Sequence, residues 1–183
     1  MFQVPSRLVP AVTLVSFTCA IVGCADTYKL EQLPLPDGSP GSKMSLPSGA
    51  CVSVELPDDG SYAGKRYLGS GPSVQRAVVS ALRTFGVDAS EAQAAAKPSQ
   101  AAAPWRVTPL IIGWEDRATE WSGKPDRISI ELRTSDPTGR LVDAALVSGA
   151  SKWATLGGDH PEDMLRPAIL PWAARFRPVQ TGR

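Results

Sequence analysis

The sequence predicts an α+β domain in which a small antiparallel or mixed sheet carries helices packed on one face. Three observations carry this. Arg127–Thr134 alternates apolar and polar residues with period two, the Asp136-Pro137-Thr138-Gly139 turn follows, and Arg140–Gly149 returns as the second arm of a hairpin. Val74, Ala77, Val78, Ala81, Leu82 and Phe85 form one apolar stripe at helical spacing. A second stripe, Met164, Leu165, Ala168, Ile169, Trp172 and Phe176, follows Pro161.

The elements are predicted in order as follows. Cys51–Leu56 is a β-branched apolar run that ends at Pro57-Asp58-Asp59-Gly60, so it is a strand with a buried Cys51. Ser61–Ser70 is a loop or short irregular strand. Pro72–Phe85 is a helix, with Pro72 in its first turn, Gly86 at its stop, and Gln75, Arg76 and Arg83 on its outer face. Ser90–Ala96, in an Ala-rich stretch, is a candidate short helix bounded by Pro98. Trp105–Gly113 is a strand, and Pro109 within it suggests an edge or a bulge. In Ile128, Ile130 and Leu132 the next strand has its core face, and in Ser129, Glu131 and Arg133 its wet face. The last helix is capped by Asp159, begins at Pro161, and is weakened by Pro167 and Pro171. Val179–Arg183 is a frayed tail.

The N-terminus has its own logic. Arg7 precedes an apolar run, Leu8–Ala20, which is shorter than the roughly 20 residues a membrane-spanning helix needs. This is the layout of a signal peptide. The run ends in Ile21-Val22-Gly23-Cys24, which resembles the lipobox of bacterial lipoproteins. That resemblance implies cleavage before Cys24 and acylation of its thiol and new amino group, so residues 1–23 are a lipoprotein signal peptide. Acyl chains, at about 0.8 kcal/mol per buried CH₂, hold a domain on a membrane. By resemblance to enterobacterial sorting rules, Ala25 rather than Asp after the cysteine implies the outer membrane, with the domain facing the periplasm. Residues 24–49, rich in Pro, Gly and Ser, are expected to be a flexible tether that lets the domain stand off the membrane. Residues 50–177 are the single folded domain and 178–183 the tail.

The chain of 183 residues has a formal net charge of +1, and the part after Cys24 balances positive and negative side chains. A nucleic-acid binder would carry a basic surplus, so that class is set aside. Nothing in the sequence has the spacing of a metal or cofactor motif, and one histidine without a nucleophile elbow argues against a hydrolase triad.

The densest chemistry lies in Trp114–Leu132 and Ser151–Asp163, which are expected to meet in space. Glu115, Asp116 and Glu120 are clustered carboxylates. Carboxylates with split pKa values do acid/base work in glycoside hydrolysis, but beside Arg117 and Arg127 they equally make a salt-bridged loop, which is the weightier reading. His160 and Asp159 fit a helix start better than a metal site. Gly69-Ser70-Gly71 before a helix is a weak anion-binding signal that helix entry explains. Trp121, next to Ser122-Gly123, is the tryptophan placed to be exposed. The surface singled out is Glu115, Arg117, Glu120, Trp121, Lys124 and Asp126 with Asp159 and His160, since mixed charges around an aromatic suit a polar interface. Its expected partners are the membrane, through the lipid, and an envelope protein or peptidoglycan. The competing expectation is an enzyme acting on cell-wall glycan.

WEDRATEWSGKPDRI, SKWATLGGDHPEDML and Tyr67-Leu68-Gly69-Ser70-Gly71 resemble an uncharacterised family of proteobacterial lipoproteins, a domain of unknown function. The resemblance implies an acylated envelope protein without known enzyme activity.

Overall fold

The structure, a computed structural model, describes residues 26–39, 46–47, 49–92, 104–117, 124–152 and 160–176. Its core is a six-stranded mixed sheet, larger than the small sheet expected. The strands are β1 (Thr27–Gln32), β2 (Cys51–Val54), β5 (Asp88–Glu91), β6 (Trp105–Glu115), β7 (Arg127–Ser135) and β8 (Leu141–Ala150), in the order β1-β8-β7-β6-β2-β5. The β1–β8–β7–β6 part is antiparallel; β2 is parallel to both β6 and β5. A separate two-stranded hairpin pairs β3 (Ser61–Tyr62) with β4 (Lys65–Arg66) and lies against β6. Helix α1 (Ser70–Thr84) touches β5, β2 and β6; α2 (Pro161–Ala173) touches β8, β1, β7 and α1.

The alternation predicted for β7 places Ile128, Ile130 and Leu132 in the core. They share it with Val52, Val54, Val107, Ala145 and Val147 from the neighbouring strands and with both helical stripes. Between them Ser129 and Glu131 stay half-buried and Arg133 exposed. In α2 the stripe from Met164 to Phe176 is buried throughout, with Trp172 and Phe176 rings 4.7 Å apart. Pro167 and Pro171 sit inside this helix without ending it. They are half-buried and exposed, so both lie on the wetter side of the helix, away from the buried stripe.

Several expectations are corrected. Thr27–Gln32, inside the stretch read as a flexible tether, is an edge strand paired with β8 along its whole length. Asp88–Glu91 is a strand parallel to β2, where a short helix from Ser90 was expected. Strand β6 is central, not an edge. Its Pro109 is tolerated because β2 pairs with β6 only as far as Val107, whose carbonyl accepts the Glu55 N–H at 2.8 Å. Pro109, two residues on, turns the side on which it lacks an N–H donor to the place where that ladder has ended. A bulge follows between Ile111 and Gly113.

Cys51 is exposed rather than buried. Val52 and Val54 point into the core, so Cys51 and Ser53 point the other way. Its thiol donates to Asp88 Oδ2 at 3.3 Å, and the bond to that carboxylate, then its charge, push the thiol pKa up. Gln75 is buried rather than on the outer face, and its Nε2 donates to the Val54 carbonyl at 2.9 Å. The N-cap of α2 is His160, not Asp159. Asp163 Oδ2 accepts the His160 N–H at 3.2 Å, which gives a helix-starting donor a partner.

Candidate functional site

The antiparallel register brings one end of four strands into line. Glu115 faces Arg127, Arg127 faces Ala150, and Ala150 faces Thr27. The chain segments that extend beyond this row form a polar cluster. Arg117 N–H donates to Asp126 Oδ1 at 2.7 Å, and Arg117 Nη2 to Glu115 Oε2 at 2.5 Å. Asp126 N–H donates to Ser151 Oγ at 3.0 Å, and Ser151 N–H to the Asp126 carbonyl at 3.0 Å. Lys152 N–H donates to Asp26 Oδ1 at 3.1 Å. His160 Nδ1 stands 3.9 Å from Asp116 Oδ1. Among the described residues, then, the two chemistry-rich stretches do meet.

The β3–β4 hairpin closes the cluster from the other side. Ala63 and Gly64 both have positive φ, 50° and 80°, which two-residue hairpin turns of this hand require. Tyr67 Oη donates to the Asp116 carbonyl at 3.1 Å, and the Arg117 guanidinium lies 5.6 Å from the centre of the Tyr62 ring. Lys65 Nζ is 4.5 Å from the centre of the Tyr67 ring. Sequence reasoning missed both tyrosines. Tyr67 stands in the segment that carries the family resemblance, but nothing local ties either tyrosine to this cluster, because their partners are about 50 residues downstream and only folding joins them.

Of the residues singled out, Glu115, Arg117, Lys124, Asp126 and His160 lie at this end of the fold or in the segments leading to it; Glu120, Trp121 and Asp159 lie outside the described residues. Trp114 turns inward and is 1% exposed, so it is core. Glu115 and Arg117 are half-buried and paired with each other; the bond to Glu115 raises the Arg117 pKa. Burial raises the Tyr67 pKa, with the Asp116 and Asp126 charges adding to it. Among the described residues no group of three or more His, Cys, Asp or Glu side chains is placed to hold a metal ion. No helix among them is long and apolar enough to cross a membrane.

Burial also raises the Asp126 carboxyl above its ordinary 3.8, against the opposing bond from Arg117 N–H. A raised folded-state pKa favours the protonated form in the native state, so this group adds stability as pH falls through its raised value towards 3.8. Asp126→Asn removes that gain. Melting curves at stepwise lower pH are expected to show the variant losing ground to the wild type across that window. A constant difference would mean that Asp126 titrates normally.

The fold and this cluster define a class: a mixed-sheet α+β domain with a charged, tyrosine-lined pole and no recognisable metal centre among its described residues. The chain belongs to the family described as Domain of unknown function (DUF4823), which matches residues 44–176. No curated protein matches it. Its fold is similar to that of PelC from Paraburkholderia phytofirmans, solved as a dodecamer. The TM-score is 0.62 at 15% identity, over 84% of this chain and 100% of that one. A single-substitution variant of that PelC, also a dodecamer, gives a TM-score of 0.60 at 15% identity with the same coverage.

Proposed function

We propose that this protein is a lipid-anchored envelope protein, acylated at Cys24 and held on the periplasmic face of the outer membrane. Its α+β domain is a non-enzymatic binding or accessory module. The observation that carries this is Ile21-Val22-Gly23-Cys24 at the end of a signal-like segment. Supporting the binding role is the way the carboxylates are engaged. Glu115 is taken up by Arg117, and Asp126 by Arg117 N–H. Such groups are tied to the protein's own donors rather than free for acid/base work on a glycan. In this reading α1 and α2 lie on one face of the sheet, in keeping with the alternate burial along β7, and the opposite face remains for an envelope protein or peptidoglycan. The fold shared with a dodecameric PelC extends the proposal to self-association of the domain.

The test is Cys24→Ser in cells fed an alkyne-tagged palmitate. The wild type is expected to take up the tag and sediment with outer membranes, and the variant to do neither. Equal fractionation of the two would overturn the anchor. Mass photometry of the detergent-extracted wild type reads self-association as a species several-fold heavier than one mature chain with its lipid and bound detergent.

A further inference from the structure

We propose that the end of the sheet where β1 begins is the membrane-facing pole of the protein, and that Lys65, Arg66 and Leu68 contact an anionic phospholipid surface there. This rests on the lipid attachment at Cys24 proposed above.

The argument starts from chain length. Asp26 is pinned to the fold: Lys152 N–H and Tyr28 Oη both donate to its carboxylate, at 3.1 and 3.2 Å. Thr27 is already in register with Ala150. Only Ala25 separates Asp26 from Cys24. Two residue steps span at most about 7 Å. A lipid on Cys24 therefore cannot swing around the domain. It brings this end of the sheet, with Glu115, Arg127 and Ala150 in line beside Thr27, down to the headgroups.

The hairpin is attached to the same end. Tyr67 Oη reaches the carbonyl of Asp116, the residue after β6, and Tyr62 lies under Arg117. The side chains it presents suit a bilayer interface. Leu68 is 84% exposed, the most open of the large hydrophobic residues among those described; Leu56, Ile112 and Leu30 stand at 58%, 62% and 37%. Lys65 and Arg66, three and two residues before it, are exposed as well. Cations at phosphate level with an apolar side chain just beyond them is how peripheral proteins hold an anionic leaflet. The nearby carboxylates oppose this less than their number suggests. Asp26 and Asp126 face backbone N–H donors, and Asp59 accepts from Gly69 and Gly71 N–H and pairs with Arg66 at 3.7 Å.

The test uses the acylated protein reconstituted in vesicles of phosphatidylethanolamine and phosphatidylglycerol. One sample carries a nitroxide at Leu68→Cys in a Cys51→Ser background. The other carries it on native Cys51, which starts β2 beside the start of β6 and so marks the opposite end of the sheet. Collision with oxygen and with a water-soluble nickel chelate reports depth. The oxygen-to-nickel ratio is expected to be several-fold higher at 68 than at 51, and to drop when Lys65→Glu and Arg66→Glu are added. Water-like ratios at both positions, on protein that still sediments with the vesicles, would overturn this orientation and leave the anchor standing. Spin–spin broadening at 68 with shielding from both reagents would assign the patch to a second copy instead, and would equally overturn it. Protein that stays in the supernatant would remove the anchor, and this inference with it.

Discussion

Asp143→Ala is expected to destabilise the domain by about 3–5 kcal/mol, the cost of breaking a buried ion pair by deleting one partner. Asp143 is fully buried on β8. Its carboxylate accepts from three elements at once: Gln32 Nε2 of β1 at 2.9 Å, Trp172 Nε1 of α2 at 3.2 Å and Arg175 Nη2, just beyond α2, at 2.7 Å. Arg175 is itself only 15% exposed along its side chain. Without the carboxylate, an indole N–H in the core loses its acceptor, and a nearly buried guanidinium loses its counter-charge. Native domains of this size have about 5–15 kcal/mol in total, so the variant approaches the threshold of folding. Urea titration should show a lower midpoint with an unchanged slope. Asp143→Asn keeps one acceptor oxygen and should fall between. A shift under about 1 kcal/mol for Asp143→Ala would mean that water reaches these donors and the network is not sealed.

That network also shows where the sequence stops being legible. The stripes of α1 and α2 and the alternation of β7 could be read because each is a local period set by one buried face. Strand β1 could not. Its residues, TYKLEQ, are exposed at five of six positions, so no apolar face marks it, and the surrounding prolines and glycines point to a linker. What makes it a strand is the open edge of β8, which no local rule contains. The same holds for β5, DASE, with one buried residue. Cys51 was misplaced by treating a short apolar run as buried on both faces, when a strand of four residues has room to alternate. At the charged pole, Glu115, Arg117, Asp126 and His160 were legible as a dense run of charges and a lone histidine. The hairpin tyrosines were not, since their contacts depend on tertiary structure alone.

Gly71→Ala sets two of these rules against each other, and the sign of the result decides between them. Helix propensity favours alanine over glycine by about 0.8–1 kcal/mol in a helix interior, and Gly71 lies in the first turn of α1, where the gain is smaller. Sterics oppose it. A Cβ at Gly71 would run into the Pro57 carbonyl oxygen and come within 3.3 Å of Asp59 Oδ1. The first is backbone, so no rotamer change relieves it. The helix start is also locked from both sides: Asp59 Oδ1 accepts the Gly69 and Gly71 N–H groups at 3.1 and 3.0 Å, while Ser70 Oγ accepts Gly60 N–H at 2.8 Å and donates to the Tyr67 carbonyl at 2.7 Å. These bonds also explain why Gly69-Ser70-Gly71 need not be an anion site: the protein's own carboxylate already occupies the donors. Gly60 cannot retreat to make room, since a Cβ there would already lie 2.7 Å from Trp114 Cβ, which shows how closely that turn approaches β6. Overpacking of this kind costs about 1–3 kcal/mol, so Gly71→Ala is expected to destabilise despite its better propensity. Because the displaced turn leads into the hairpin, Tyr67 should loosen from Asp116 too, and the amide hydrogens of the β3–β4 hairpin should exchange faster than in the wild type. A stabilised variant would show that the turn at Pro57 yields and that the glycine is there only for helix entry.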